Sequence, residues 1–280
     1  MEIKASDVKK LRETTGAGLM DCKKALKEAE GDFTKAERIL KEMGLAAAAK
    51  RSSRATNEGR IFSCIEGKKA GLLELSCETD FVARNQDFID FGKNILKNIV
   101  SKNIKETTPE MEQETASLIS KLKENMGIRR FVTISADENE LLTDYIHGEG
   151  RIGVIIKLQA DDPKVLGDEK VKELAFDLAL HAAAFNPKYL SQDKVDTDYL
   201  KEQEEIFLKQ AQNLGKPEKV LQGIVKGKLN KHLSEICFLN QGFVKDDKQS
   251  VKKTLDSLGK ELGTQISLAD YLYYSVGEEK

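Results

Sequence analysis

The chain has no tryptophan, only four prolines among its 280 residues, and 6% aromatic residues. That scarcity argues against a β-sandwich and for a helix-rich chain, and a hydrophobic content of 40% excludes wholesale disorder. Charge of one sign is missing as well: 45 Lys and Arg stand against 47 Asp and Glu, a formal net charge of −2. A nucleic-acid binder shows a basic excess or patch, so that class loses ground. No uncharged apolar run approaches the ~20 residues of a membrane helix, and Met1-Glu2-Ile3-Lys4 has no apolar signal core. A cytoplasmic protein of about two domains is the expectation.

Paired cysteines are absent too. Cys22, Cys64, Cys77 and Cys237 lie far apart with no C-x-x-C spacing, and they read as reduced, mostly buried thiols. His147, His181 and His232 share no i, i+4 spacing, and no Ser-His-Asp or His-Cys set can be assembled. No P-loop motif occurs. Gly148-Glu-Gly150-Arg-Ile-Gly153 fits G-x-G-x-x-G, but Val154-Ile-Ile-Lys-Leu158 directly after it reads as a strand, whereas a dinucleotide loop opens a helix. No metal and no cofactor are expected, which leaves a small-molecule enzyme as a weak rival to a protein that works by binding another.

The chain does carry a series of readable elements. Ser6 or Asp7 suits the cap of a first helix carrying Val8 and Leu11, which stops at the Thr14-Thr15-Gly16-Ala17-Gly18 turn. Asp21 suits the cap of a second helix and Gly31 its end, and Asp32 the cap of a third that runs to Gly44. These three helices (1–45) form a small bundle, and the Ala, Lys, Arg and Ser composition of 46–57 reads as a linker. Runs at 60–66 and 70–77, joined at Gly67-Lys68-Lys69, predict a β-hairpin. A helix bearing Phe88, Phe91, Ile95, Leu96 and Ile99 comes next, then a helix over about 109–125 and β-runs at 128–135, 141–146 and 151–160. An apolar helix at 171–185 precedes two charged helical stretches broken at Gly215-Lys216-Pro217, which suit a two-helix hairpin over 195–233. A helix at 251–262 and a β-run at 266–276 close the chain. The fold class is α+β, with a two-part core (58–138, then 139–194 with 234–280) and antiparallel sheets. The tetrad Glu58-Gly-Arg-Ile61 recurs as Glu149-Gly-Arg-Ile152 and hints at two related halves.

Among polar residues, His181 sits in an apolar helix and reads as a hydrogen-bonded core histidine. His147, among Tyr145, Gly148 and Gly150 at a strand end, is open between structure and contact. In Cys77-Glu-Thr-Asp-Phe-Val-Ala-Arg-Asn85 an Asp and an aromatic come after a strand at a surface turn. Spacing alone favours Phe81 packing into the core, with Asp80 making the turn. Leu19 and Met20, just after a Gly-rich turn, are open between anchors for another protein and bundle core.

Leu11-Arg-Glu-Thr-Thr-Gly-Ala-Gly-Leu-Met-Asp-Cys-Lys-Lys-Ala-Leu26, together with Thr79-Asp-Phe-Val-Ala83, closely resembles the bacterial elongation factor Ts family. Ile128-Arg-Arg130, Tyr145-Ile-His-Gly148, Arg151-Ile-Gly-Val154 and Gly215-Lys-Pro217 extend the resemblance over nearly the whole chain. It implies a guanine-nucleotide exchange factor for elongation factor Tu, not an enzyme, with a ubiquitin-associated-like three-helix bundle, a two-part core and a coiled-coil hairpin. It implies that Asp80 and Phe81, within Thr79 to Val82, enter the partner's nucleotide domain and shift its Mg²⁺ and phosphate-binding elements, with His147 beside them. Arg12, Leu19, Met20 and Lys23 fall where the family touches the same domain. Leu122 and Lys123 align with a further contact, Lys123 standing where a Gly is familiar, and Val244 and Lys245 align with an apolar pair laid on another partner domain. No nucleic acid or membrane is implied, a homodimer through the coiled coil or core is compatible, and an additional carboxy-terminal helix of some relatives is expected to be missing. The rival reading is a passive interaction module that binds without altering nucleotide release.

Overall fold

The computed structural model describes residues 3–212 and 217–278, in two compact units. The first unit comprises residues up to Ile134 with 146–152 and the segment from Tyr274; the second comprises 135–145 and 153–273.

The first unit begins with α1 (Ala5–Thr15), α2 (Leu19–Glu28) and α3 (Phe33–Arg51). Val8, Leu11, Cys22, Ala25, Leu26 and Ala36 close a small core among them. Two caps differ from the sequence expectation. Lys4 precedes α1 without a side-chain cap, and α2 starts at Leu19 after Gly18, so Asp21 lies within its first turn and does not cap it. Asp32 does cap α3, accepting from Lys35 N–H at 3.0 Å. That helix does not stop at Gly44; it continues through Ala46 to Arg51. The alanines favour helix, and α3 packs along α6 (Pro109–Leu122), where buried Gly44 approaches Ala116 O and Ala48 joins the larger core.

β1 (Glu58–Glu66) and β2 (Lys69–Cys77) form the expected antiparallel hairpin, with Glu66 paired to Lys69 across Gly67-Lys68. Gly67, at φ 62°, supplies the left-handed residue such a tight turn needs. β3 (Met126–Ser135) completes a sheet of order β1-β2-β3. Central β2 is buried from Ala70 to Cys77, which is why it reads as a nearly continuous apolar run. After β2 come α4 (Asp80–Ala83) and α5 (Gln86–Lys102), the latter capped by Asn85, whose side chain accepts from Asp87 N–H. Phe88, Ile95, Leu96 and Ile99 of α5 pack with Phe62, Leu73 and Leu75. Gly92 has no Cβ because one there would lie 2.3 Å from the Phe62 ring.

The second sheet has the order β4-β5-β8, from β4 (Glu140–His147), β5 (Ile152–Ala160) and β8 (Ile266–Ser275). α7 (Glu169–Phe185) and α10 (Val251–Leu262) lie between β5 and β8 in sequence. The connectivity repeats that of the first sheet: a strand pair, helices, then a strand beside the second strand. The repeat is therefore in topology. The tetrad does not mark it, since it opens β1 in one half and β5, the second strand, in the other. α8 (Thr197–Gln212) and α9 (Glu218–Ile236) form the helical hairpin, with Tyr199 Oη 2.8 Å from His232 Nε2 and a base of Val195, Leu233, Ile236 and Cys237. Gly215 and Lys216 of the expected break lie outside the described residues. A short antiparallel pair, β6 (Gly242–Phe243) with β7 (Asp246–Ser250), precedes α10. The molecule is an α+β protein with small antiparallel sheets.

Candidate functional site

The Thr79 turn is built from its neighbours outward. Thr79 is extended (φ −129°, ψ 156°), and its hydroxyl accepts from Val82 N–H at 3.4 Å, capping α4. That hydroxyl donates to Glu124 Oε1 at 2.8 Å, and Thr79 N–H donates to Glu124 Oε2 at 3.1 Å. Cys77 Sγ–H donates to Thr79 O at 3.1 Å. Burial, then Glu124 and Glu58, push the Cys77 thiol up to about 12, so it is an inert structural group. Beside it Glu78 accepts from Asn125 N–H at 2.5 Å, which with Arg54 holds its carboxyl below the usual range.

Within α4 the residues separate sharply. Val82 and Ala83 are buried in the core, so at about 100° per residue Phe81 points roughly opposite to them. Phe81 is 82% exposed. The core position that spacing alone favoured for it is therefore taken by Val82. An exposed phenyl forgoes about 2 kcal/mol of burial, and here it sits on a turn held by hydrogen bonds between Thr79 and Cys77, Glu124, Val82 and Ala83.

Several other residues singled out in the sequence are exposed too. Leu19 and Met20, 52% and 72% exposed, open α2, with Arg12 and Lys23 exposed nearby in sequence. Leu122 is half-buried against the core. Lys123 ends α6 at φ 65°, the left-handed conformation glycine favours, and its ammonium lies 3.2 Å from Asp21 Oδ2. Consecutive residues thus hold both sides: Lys123 ties the start of α2, and Glu124 ties Thr79. Glu124 was not visible in the sequence, because nothing in an isolated Lys-Glu pair reveals a long-range partner.

From Asp80 the surface continues through Arg84, whose guanidinium is 3.7 Å from Asp80 Oδ2 and 3.5 Å from Glu149 Oε2. His147 is exposed at the end of β4, immediately before this second turn. Arg151 N–H closes the turn on His147 O at 3.0 Å, and the Arg151 side chain reaches Glu58 at 2.6 Å. Glu58, Asp80, Arg84, Gly148, Glu149 and Arg151 line a cleft of about 370 Å³. The Asp80 and His147 turns therefore meet, although they are far apart in sequence. Gly148 to Gly150 lead into strand β5, a context that does not suit a dinucleotide loop.

In the second unit Val244 is 38% exposed, and Lys245 pairs with Asp177 at 2.7 Å, a bond that raises the lysine pKa. Among the described residues no group of three or more His, Cys, Asp or Glu is placed to hold a metal ion, and no helix is long and apolar enough to cross a membrane.

The site is thus a large apolar side chain displayed on a hydrogen-bonded turn and flanked by ion pairs, on an α+β protein with small antiparallel sheets. Known proteins narrow the class. The family model described as Elongation factor TS matches residues 78–278. The chain is 50% identical over 277 residues to Elongation factor Ts of Treponema denticola, covering 99% of each chain. It is 48% identical to the Borrelia hermsii protein of that name, covering 99% of this chain and 100% of the other, and 46% identical to that of Borreliella burgdorferi, covering 98% and 99%. The chain belongs to the elongation factor Ts family, a family of translation elongation factors.

Proposed function

We propose that the chain is the guanine-nucleotide exchange factor for elongation factor Tu: it binds the GDP-loaded partner, displaces Mg²⁺ and promotes GDP release so that GTP can bind. The observation that carries this reading is the 82% exposure of Phe81 on a turn fixed by Glu124, Val82 and Ala83. Exchange needs no bond-making group on the factor. It requires that the factor bind the nucleotide-free partner more tightly than the loaded one, and an aromatic wedge that fits only a shifted partner supplies that difference. Mg²⁺ demands near-octahedral geometry, so a small displacement of its ligands loosens the nucleotide. In this reading Phe81 is the wedge, Asp80 hydrogen-bonds the partner, and Thr79 and Val82 fix the turn. His147, Arg12, Leu19, Met20, Lys23, Leu122 and Lys123 widen the contact, and Val244 and Lys245 make a second one.

The test is release of a fluorescent GDP analogue from elongation factor Tu under excess GDP, with and without this protein. Strong acceleration is expected, and Phe81→Ala, at a position with little to lose in folding, slows it by about thirtyfold. Binding with unchanged release contradicts exchange and leaves a passive tether.

A further inference from the structure

Glu149 holds a backbone conformation that glutamate rarely adopts. Its φ of 56° and ψ of 32° fall between Gly148 at φ 58° and Gly150 at φ 96°, three successive left-handed residues. The glycines accept this freely, whereas a residue with a Cβ is strained. Gly150 packs closely against the Arg60 side chain, and a Cβ at 150 would lie 2.3 Å from Arg60 Cγ. Glu149 is exposed and adds nothing to the core, so the backbone alone would be better served by a third glycine. Its partner explains it. Arg84 Nε lies 3.5 Å from Glu149 Oε2, and another nitrogen of the same guanidinium lies 3.7 Å from Asp80 Oδ2. One guanidinium thus spans two carboxylates, one on the turn after His147 and one directly before Phe81.

We infer that Glu149 and Arg84 form a clamp that fixes the α4 turn, and with it the direction of Phe81, before a partner arrives. Glu149 is then a positioning residue of the docking surface. The inference rests on the exchange reading above for its consequence, but the restraint itself belongs to the free protein. A helix of four residues does not hold its own shape. Its start is anchored by Thr79 and Glu124 and its inner face by buried Val82 and Ala83, with Ala83 N–H bonded to Thr79 O at 3.2 Å and Arg84 N–H to Asp80 O at 3.1 Å; the outward face that carries Asp80 and Arg84 is where Glu149 acts. Exposed ion pairs contribute little to global stability. They bias which orientation of a single turn is populated, and that preorganisation reduces what binding must spend on ordering.

The test uses Glu149→Gly, which removes the carboxylate and relieves the strain, together with Arg84→Ala, the double variant and Phe81→Ala. Three quantities are read on the full chain: the unfolding temperature, amide hydrogen exchange at Ala83 and Arg84 in the free protein, and the maximal rate of GDP release from elongation factor Tu. Glu149→Gly is expected to melt at or above the wild-type temperature, to lose about fivefold in amide protection, and to slow release by about tenfold. The double variant is expected to be no worse than the poorer single one, as for two residues acting through one contact. Wild-type protection in Glu149→Gly overturns the clamp, and slower release with that protection intact makes Glu149 a direct contact instead. Lost protection with unchanged release overturns the positioning role. Should Glu149→Gly unfold, Arg84→Ala breaks the same clamp from a helical position and decides. Unchanged release by Phe81→Ala counts against the exchange reading alone, and amide protection then judges the clamp separately.

Discussion

His181 shows how one buried side chain orders its surroundings. Val244 N–H donates to Nδ1 at 3.2 Å, which fixes the neutral tautomer with the proton on Nε2; that nitrogen donates to Gln241 Oε1 at 2.9 Å, and Gln241 Nε2 donates to Glu235 O at 2.7 Å. Phe185, Phe238 and Phe243 surround the ring, and burial lowers its pKa below the ordinary value. The unfolded chain binds this proton near pH ~6.5 while the folded one does not. Stability from this group is therefore intact above about pH 6.5 and falls as pH drops from there toward the lower folded value. Thermal unfolding at about pH 7.5 and about pH 5.5 should show a smaller acid-induced loss in His181→Asn than in the wild type; an equal loss would assign the effect to other groups. The sequence exposed this histidine as a core residue because its helix is apolar on both sides of it. It did not expose the direction of Phe81, because an aromatic at a strand end looks the same whether it or its neighbour fills the core. That was decided by Val82 and Ala83 taking the inward positions of a single turn.

At the scale of elements, β2, β3 and the segment after β8 are joined through one buried carboxylate. Glu74 is 1% exposed; it accepts from Arg130 Nε at 2.7 Å and from Gly277 N–H at 2.9 Å, while Arg130 also donates to Ser275 O at 2.9 Å and lies over the Tyr274 ring. Removing one partner strands a buried charge, so Arg130→Ala is expected to lower the unfolding free energy by about 3 kcal/mol in urea denaturation. A loss near that of a surface pair would show that Arg129 or water satisfies Glu74 without it. This hub was not legible, since Glu74 interrupts an apolar run and its partners lie far along the chain. Long helices such as α5, α7 and α10 were legible close to their observed bounds from their apolar residues, although the caps Asp168 and Ser250 were not read. The extension of α3 was not, because alanines without a core face reveal their packing only when α6 arrives beside them. Neither was β7, whose Asp-Asp-Lys-Gln-Ser sequence is exposed and has no alternation to read.

On the whole-molecule scale, the residues that resemblance singled out divide between the two units: the surface from α2 through Lys123, Glu124 and Phe81 to His147 lies in the first, and Val244 with Lys245 in the second. The surface of the first unit is legible in sequence only through the family pattern; its continuity comes from Asp21–Lys123, Thr79–Glu124 and Arg84–Glu149, pairs that spacing does not reveal. In the proposed exchange all of this acts as one thermodynamic device. If the factor weakens GDP binding by some ratio, GDP must weaken factor binding by the same ratio. The most direct measurement is the dissociation constant of this protein for elongation factor Tu, nucleotide-free and with saturating Mg²⁺ and GDP, beside the GDP affinity of the partner with and without the factor. Exchange by differential binding predicts much tighter binding to the nucleotide-free partner, with the two ratios equal, and a smaller ratio for Phe81→Ala. Equal affinity for the loaded and empty partner would contradict it.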